Sequence, residues 1–499
     1  MDIACFVGLI DYRGSSAPDV ELWLKEQGWL NGTKDFSTLL DVPVPVESWD
    51  SFERLFAWDE RQLNDKGLAG ATYLGTAVRS FFAQGGRKCY VIRTGEPLKL
   101  DATRTAREAQ LEKIIPGYPG VVRSSKSDRT TWQGVGHLFG LPDVSFLCMP
   151  DLPDLLQSDS PRFPTDKPEV PELPEQFVLC SDPLKTPPQD NAVARIPAPR
   201  CDADGYTKWS KAVHMVAAFI AGHRREVQIV AGIPLPDSST GAKSNLLAYM
   251  HQQEWLSGTL DSNSSISSAF VQLCYPWLRT PGSTYLPEQG ETPEGSLAGL
   301  LARNALTRGA FRSVTGLQQR DISGLLPKLR QDQMFALYDK APQQGSPKAA
   351  LIDRVSLFSS TPQGIQVVSD VTTSNEVSHR QASINRIIAT VVRAARRAGE
   401  AYAFESSGER LWARLRDGLS DLLQTMHTIG ALQGATPGDA FHVRCDRSTM
   451  TQHDIDAGRV IAHVLIQPAA SVESIEILLS MGNGGQVYVP SSGIQGALA

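Results

Sequence analysis

The sequence predicts an α/β domain, with a mixed sheet and flanking helices, followed by an α+β C-terminal domain. Short apolar runs with strand character alternate with amphipathic helical stretches over residues 1–340. A stretch rich in proline, glycine and glutamine at 341–347 then marks a boundary. In residues 350–499 the order of elements changes, because two long helices precede a group of three strands.

The first domain begins with a buried strand, IACFVGLI (3–10). PVPVESWDSFERLFAW (43–58) starts extended and becomes a helix that Ser48 caps. The stretch TYLGTAVRSFFAQGG (72–86) has one apolar stripe and ends at Gly85, a typical C-cap glycine. Further strands are predicted at 88–95, 144–150, 227–235 and 269–277, and further helices at 209–224, 245–256 and 294–313.

Two parts of the first domain are predicted to be irregular insertions, at about 96–140 and 151–205. The second is proline-rich and charged, which is typical of an exposed, partly extended surface segment. In the C-terminal domain a strand at 364–371 precedes helices near 378–402 and 408–429. Strands follow at 441–445, 459–467 and 474–481, and QVYV in the glycine-rich tail is a further short strand candidate.

Composition sets broad limits on function. The chain has 499 residues, 41% of them hydrophobic and 20% charged, with a net charge of −6, so its surface as a whole does not attract nucleic acid. The seven cysteines are scattered without a CxxC pair, which predicts reduced thiols and assembly in a cytoplasm. No apolar run approaches the ~20 residues that span a bilayer, and the N-terminus lacks the pattern of a signal peptide. We therefore expect no direct membrane insertion.

Two glycine-containing stretches could hold phosphate, and both fit that role poorly. FFAQGGRKCYVIR (81–93) places its glycines after a helix and before a strand, whereas a phosphate binds at a helix N-terminus. Arg87 and Lys88 suit the helix C-terminus instead. VQIVAGIPLPDSSTGAKS (227–244) departs from GxxxxGK[ST] because Ala242 separates its glycine and lysine and because two prolines lack amides. A surface loop is the favoured interpretation.

Metal and catalytic constellations are also not predicted. His442, Cys445, His453 and His463 are close in sequence, but His442 and Cys445 lie at odd spacing on one strand and so point to opposite faces. Glu405 and Glu409 form a carboxylate pair whose simpler role is to flank a helix start. We predict no catalytic residue, no cofactor and no metal site.

The helix near 378–402 has an unusual charge distribution. Its apolar residues share one face, while Arg386, Arg393 and Arg397 fall in a narrow arc on the opposite face and Arg396 lies further round. A solvated helix face and an electrostatic strip for an acidic partner explain this pattern equally well.

Three blocks of the sequence, in this order, resemble the contractile sheath family of phage tail sheaths, R-type pyocins and extracellular contractile injection systems. The N-terminal block contains FVGLI, PVPVESWDSFERLFAW and YLGTAVRSFFAQGGRKCYVIR, and the middle block contains SSAFVQLCYPWL and GSLAGLLARNALTRGAFRS. The C-terminal block runs from INRIIATVVRAARRAGEAYAFES through GALQGATPGDAFHVRCD to DIDAGRVIAHVLIQP. The resemblance spans most of the chain, excepting 96–140, 151–205 and 314–362.

The resemblance implies a non-enzymatic structural subunit that assembles as stacked hexameric rings around an inner tube and contracts to drive that tube through a target envelope. The implied partners are further copies of the chain, the inner tube protein and baseplate proteins, with no nucleic acid. It also implies assembly in the bacterial cytoplasm, as part of a phage tail or related particle that lysis releases. The C-terminal domain, 350–499, would lie on the inside, and residues 1–340 would form the outer layer.

The resemblance also suggests interface residues. Arg386, Arg393 and Arg397 become candidates for facing the tube or a neighbouring subunit. A strand near 474–489 becomes a candidate for β-augmentation. Its candidate residues are Ile475, Ile477, Val487 and Tyr488.

The sequence departs from the family pattern at three places, one of which is the segment after Pro468, where the usual second proline is absent. Family members begin with an arm resembling PGVYVEE, whereas this sequence starts almost at the first strand, and SDVTTSNEV (369–377) replaces a GaRT-like segment. An alternative is therefore a specialised baseplate-proximal sheath paralogue that lacks the linking arm. An alternative of a different class is a nucleotide-binding α/β enzyme built on the loop within 227–256.

Overall fold

A computed structural model describes most of the chain. The described residues are 2–15, 17–29, 38–159, 192–256, 265–338, 349–401, 408–469, 474–481, 487–488 and 494–496. The centre of the predicted proline-rich insertion (160–191), the predicted boundary stretch (341–347) and Glu405 lie outside them.

A large mixed sheet forms the centre of the first part of the chain, and it confirms the predicted α/β class. Its spatial order is β8–β7–β6–β5–β4–β1–β3–β2. The six inner strands are parallel, and each edge carries one antiparallel strand. The strands are β1 (Ile3–Leu9), β2 (Pro43–Val46), β3 (Cys89–Gly95), β4 (Val144–Cys148), β5 (Gln228–Gly232), β6 (Val271–Tyr275), β7 (Ser356–Thr361) and β8 (Gly364–Val367).

Helices connect and cover these strands, as parallel crossovers require. Ser48 caps the second helix by accepting a hydrogen bond from the Ser51 amide, as predicted. The helices of this part are α1 (Pro18–Glu26), α2 (Trp49–Leu55), α3 (Tyr73–Ala83), α4 (Arg104–Ile114), α5 (Ala203–His223), α6 (Leu246–Gln252) and α7 (Glu294–Thr307). Shorter helices are Leu152–Leu155 and Gln331–Phe335, and a small antiparallel ribbon joins Trp277–Arg279 to Gly324–Leu326.

The end of α3 is a glycine-dependent helix stop, which confirms the prediction for residues 81–93. Gly85 has φ +102°, and its amide donates to the Phe82 carbonyl at 2.9 Å. The Gly86 amide donates to the Phe81 carbonyl at 3.0 Å. These two hydrogen bonds form a Schellman motif. The motif favours glycine at position 85, because the backbone there is left-handed.

The C-terminal part contains a helix pair and a second, antiparallel sheet. Its long helices are α8 (Ala382–Ala401) and α9 (Glu409–Thr428), with short helices at Val377–Arg380, Pro437–Ala440 and Gln452–Asp456. Its strands are β9 (Phe441–Arg444), β10 (Val460–Ile466), β11 (Ile475–Met481), β12 (Val487–Tyr488) and β13 (Ile494–Gly496). β11 pairs with β10 on one side and with β12 and β13 on the other.

Buried apolar side chains form two large clusters that follow this division. The first extends from Ile3 to Val367, and the second extends from Ile384 to Leu479. In the described part of the chain, Phe311 is the one apolar side chain from before residue 368 that packs against the second cluster. None of the described helices is both long and apolar enough to cross a membrane.

Two predictions about the first domain need correction, one on its boundary and one on the segment 96–140. β7 pairs with β6, so the large sheet continues to Val367, beyond the boundary predicted at 341–347. The segment 96–140 is not an irregular insertion throughout, because it contains α4 and buries Leu111 and Leu138 in the first cluster. Its sequence, RTAREAQLEKI in the helix, is too polar for apolar periodicity to reveal it.

Candidate functional site: the arginine face of helix α8

Helix α8 lies between the second cluster and the large sheet. One face buries Ile384, Ile387 and Val391 in the second cluster, as the apolar spacing predicts. The opposite face carries the arginines and points toward the amino ends of strands β1, β4 and β5, where Asp2, Ser145 and Glu226 lie. Both faces of the helix therefore contact protein.

Arg386 forms the most buried contact of this face. Its guanidinium binds Asp370 through two hydrogen bonds, of 3.1 Å to Oδ1 and 2.7 Å to Oδ2, and its Nε donates to the Ala310 carbonyl at 2.8 Å. Asp370 also accepts from Gln272 Nε2 at 3.0 Å and from the Val314 amide at 3.1 Å. Burial alone would raise the pKa of Asp370, but Arg386 and these donors hold it below its usual value.

Two further arginines contact the amino edge of the large sheet. Arg393 donates to Ser145 Oγ at 2.6 Å and to Asp2 Oδ1 at 3.3 Å. One turn further, Arg396 pairs with Glu226, with 3.1 Å between Nε and Oε1. Burial opposes ionisation of Glu226, but Arg224 and Arg396 together hold its pKa below the usual value.

The charged face of α8 was expected to meet either solvent or an acidic partner such as the tube or a neighbouring subunit, and contacts within the chain correct that expectation for Arg386 and Arg393. Arg386 and Arg393 have partners within the chain, whereas Arg397 is exposed. A helical wheel separates an apolar face from a charged one, but it does not tell a charged face in solvent from one that meets acidic residues of the same chain. The partners Asp2, Glu226 and Asp370 were missed because they are distant in sequence from one another and share no motif.

The predicted augmentation strand is internal to the second sheet. Ile475 and Ile477 are fully buried in the second cluster, and β11 has strand neighbours on both sides. Where β11 is paired on both sides, it has no free backbone edge to which a strand of another subunit could add. Val487 and Tyr488 form the two-residue strand β12, which pairs with the end of β11. A role for these residues between subunits stays a prediction.

The opposite, carboxyl edge of the large sheet is where doubly wound folds bind ligands, at the point where the strand order reverses. That point lies between β1 and β4, and buried carboxyl groups occupy it. Asp151 accepts from the Leu9 amide at 2.7 Å, and Glu294 accepts from the Met149 amide at 3.1 Å and the Gly232 amide at 2.6 Å. These side chains tie strand ends together where a ligand crevice would open.

Buried carboxyl groups at this edge predict a pH dependence of stability. Burial raises the pKa of Glu294 to about 8, and it does the same for Glu291, which accepts from the hydroxyls of Ser80 and Thr280. Between an unfolded pKa of about 4.3 and the folded value, the native state binds more protons than the unfolded state. The contribution of these two carboxyl groups to the free energy of unfolding is therefore complete below about pH 4.3 and is lost as pH rises toward 8.

We expect the melting temperature to fall between pH 6 and pH 8.5, measured by differential scanning fluorimetry at constant ionic strength. The lowered pKa of Asp370 acts in the opposite direction, but below about pH 4, outside this window. Glu291→Gln should flatten the decline. A melting temperature that is constant or rises over this range would show that these groups are ionised throughout it.

The loop proposed for nucleotide has no phosphate cradle. Asn245 already caps α6 by accepting from the Ala248 amide at 3.0 Å, and Asp237 accepts from the Ser239 amide within the loop. The Nδ1 atom of His463 lies 2.9 Å from Oε1 of Glu476. His442 is exposed whereas Cys445 is buried, so these histidines and the cysteine do not form one site. Among the described residues, no group of three or more metal-ligating side chains is placed to hold an ion.

Comparison with known proteins identifies the fold. No family model matches the sequence, and no curated protein matches it. Among solved structures, the chain has the fold of contractile sheath subunits, which confirms the fold expected from the resemblance.

Three of these structures come from contractile particles. A chain of the anti-feeding prophage (AFP) baseplate, 6-fold symmetrised, is 15% identical with a TM-score of 0.54, over 94% of this chain and 90% of that chain. The PVC sheath complex of an extracellular contractile injection system, in its contracted state, is 16% identical with a TM-score of 0.51, over 94% and 88%. The contracted AFP helical sheath is 15% identical with a TM-score of 0.51, over 95% and 91%.

Proposed function

We propose that the chain is a structural subunit of a contractile sheath. It assembles as stacked hexameric rings around an inner tube and contracts to drive the tube through a target envelope. The observation that carries the proposal is that the fold likeness spans both the large-sheet part and the C-terminal part, 94–95% of the chain in the three structures above. The carboxyl edge of the sheet, filled by Asp151 and Glu294, supports a role without catalysis.

Such a sheath works through bistable contacts between subunits, whose collective repacking releases free energy. In this proposal the large-sheet part forms the outer layer and the C-terminal part faces the tube, with baseplate proteins as further partners. Arg397, the exposed member of the predicted arginine set, is the best remaining candidate for docking to the tube or a neighbour. Subunits assemble in the bacterial cytoplasm, and lysis releases the particle.

Negative-stain microscopy of the purified chain tests self-assembly. We expect rings or hollow tubes with six-fold symmetry in averaged end views, in a concentration-dependent equilibrium with smaller species. Arg397→Glu should weaken docking to the tube or the adjacent subunit without lowering the melting temperature. A chain that remains monomeric, both alone and mixed with its tube and baseplate proteins, would contradict the proposal.

A further inference from the structure

The contact between helix α8 and the large-sheet part is polar and incompletely packed. Arginine ion pairs cross it, and Phe311 is the one apolar side chain of the first part, among the described residues, that packs against the second cluster. A cavity of about 450 Å³ lies between the helix and the amino edge of the sheet, lined by Ile388 and Ala389 of α8 and by Phe146 and Phe270 on the sheet side. Two parts of one chain are expected to move relative to each other unless their interface is large and hydrophobic.

The amino-terminal end of α8 is fixed to the large-sheet part. The Ala382 amide donates to the Asp370 carbonyl at 3.2 Å, and one turn later Arg386 forms its two hydrogen bonds with the Asp370 carboxylate. Phe311 lies at the same end, because Arg386 Nε donates to the carbonyl of the preceding residue, Ala310. Arg386 is the one cation that pairs with Asp370 among the described residues, so breaking this contact would leave a buried charge uncompensated.

Arg396, near the other end of α8, is bound to an acid that has a second partner. Its Nε lies 3.1 Å from Oε1 of Glu226, and Nε of Arg224, which belongs to the large-sheet part, lies closer to the same oxygen, at 2.6 Å. Glu226 would therefore keep an ion pair if α8 moved away. Because the cost of opening a buried ion pair comes mainly from the charge that is left behind, the Arg396 contact can open more easily than the Arg386 contact.

Arg393 is bound in a similar way, between the two ends of this contact. Oδ1 of Asp2 accepts from Arg393 at 3.3 Å, and it also accepts from the Ser145 hydroxyl of the large sheet at 2.9 Å. The Arg393 side chain is already 15% exposed, so water would reach both Arg393 and Asp2 as the helix moved away. The contacts of Arg393 and Arg396 are therefore the separable ones, and those of the first turn are the fixed ones.

We propose that α8 and the second sheet move as one body about the first turn of the helix, and that the contacts of Arg393 and Arg396 are the ones that open. The apolar face of α8 is buried in the second cluster, so the helix carries this cluster with it. About 15 Å of helix separates Arg386 from Arg396, so a rotation of about 10° would displace the far end by about 3 Å and break both contacts. The motion goes beyond the proposed function and belongs to the single chain, and it would supply one of the rearrangements that a contracting sheath needs.

Distances between two spin labels in the full-length chain, diluted with unlabelled chain, test this pivot. One label is attached at Ser127→Cys in the large-sheet part and the other at Asp421→Cys on the exposed face of α9, in a Cys180→Ser background. The other six cysteines are buried and should not react. We expect one distance in the otherwise unchanged chain. In the combined Arg393→Gln and Arg396→Gln variant, double electron–electron resonance should show a second distance that differs by about 3 Å or more.

Arg397→Gln is the matched control, because it removes an exposed arginine of the same helix, and it should keep the single distance. Labels at Ser127→Cys and Thr315→Cys, both in the large-sheet part, should keep one distance in every variant if that part stays folded. If the double variant unfolds, the single variants Arg393→Gln and Arg396→Gln decide, each with a smaller second population. One unchanged distance in all of these variants, or an equal change in Arg397→Gln, would overturn the pivot and leave the proposed function standing. Failure of the chain to assemble would count against the proposed function alone.

Discussion

Replacing Arg386 with methionine should lower the free energy of unfolding by about 3–5 kcal/mol, the usual result of removing one partner of a buried ion pair. Asp370 is 5% exposed and would keep a carboxylate without its counter-charge. The Ala310 carbonyl would lose its donor in the same variant. Because this contact joins α8 to the large-sheet part, we expect the C-terminal part to separate at lower denaturant concentration. Urea denaturation followed by tryptophan fluorescence measures both effects.

Two variants make this result specific. Arg397→Met removes an exposed arginine of the same helix and should change stability by no more than about 0.5 kcal/mol. Asp370→Asn combined with Arg386→Met removes both buried charges and keeps one of the two acceptor oxygens that Gln272 and the Val314 amide use, so it should recover part of the loss. If Arg386→Met behaves like Arg397→Met, the pair is not a principal link between the two parts.

Gly295→Ala should cost roughly 1–3 kcal/mol, because α7 packs directly on the backbone of α3 at this position. A methyl group on Gly295 would overlap the carbonyl group of Ala77, and a methyl group on Gly299 would overlap that of Phe81. Backbone atoms of a neighbouring helix have little freedom to move aside, so the two helices would have to separate. Thermal and chemical denaturation of the purified variant measure the loss.

Gly418→Ala is the control for helix propensity. Gly418 lies inside α9, and a methyl group there would meet nothing within 4 Å. This variant should gain about 0.5–1 kcal/mol, since alanine favours a helix over glycine. Equal effects of the two substitutions would show that the contact between α3 and α7 is looser than the structure indicates.

Local patterns in the sequence were sufficient for many elements. Apolar runs located five of the six parallel strands, all except β7, and Ser48 and Gly85 marked a helix start and a helix stop that the structure confirms. The glycines of GSLAGLLARNALTRG have a physical role that the sequence alone does not reveal. Gly295 and Gly299 lie so close to the backbone of α3 that a side chain does not fit between the two helices. This requirement for glycine comes from a helix more than 200 residues away in the sequence, so local patterns do not reveal it.

Long-range contacts explain why the predictions for the arginine face and for the domain boundary were wrong. The arginines of α8 were correctly placed on one face, but their acidic partners come from the residue before β1, from the turn before β5 and from the segment after β8. No periodicity connects positions so far apart. Likewise, β7 and β8 follow the predicted boundary yet belong to the large sheet, because strand pairing in a parallel sheet is set by tertiary contacts.

The most direct test of a sheath function is microscopy of particles from cells that produce this chain, with a tag inserted after Ser127, in an exposed turn. The proposal predicts label at six-fold positions in rings around an inner tube, with a change in ring spacing and diameter between extended and contracted particles. Particles that assemble and contract normally while containing no tagged chain would contradict it.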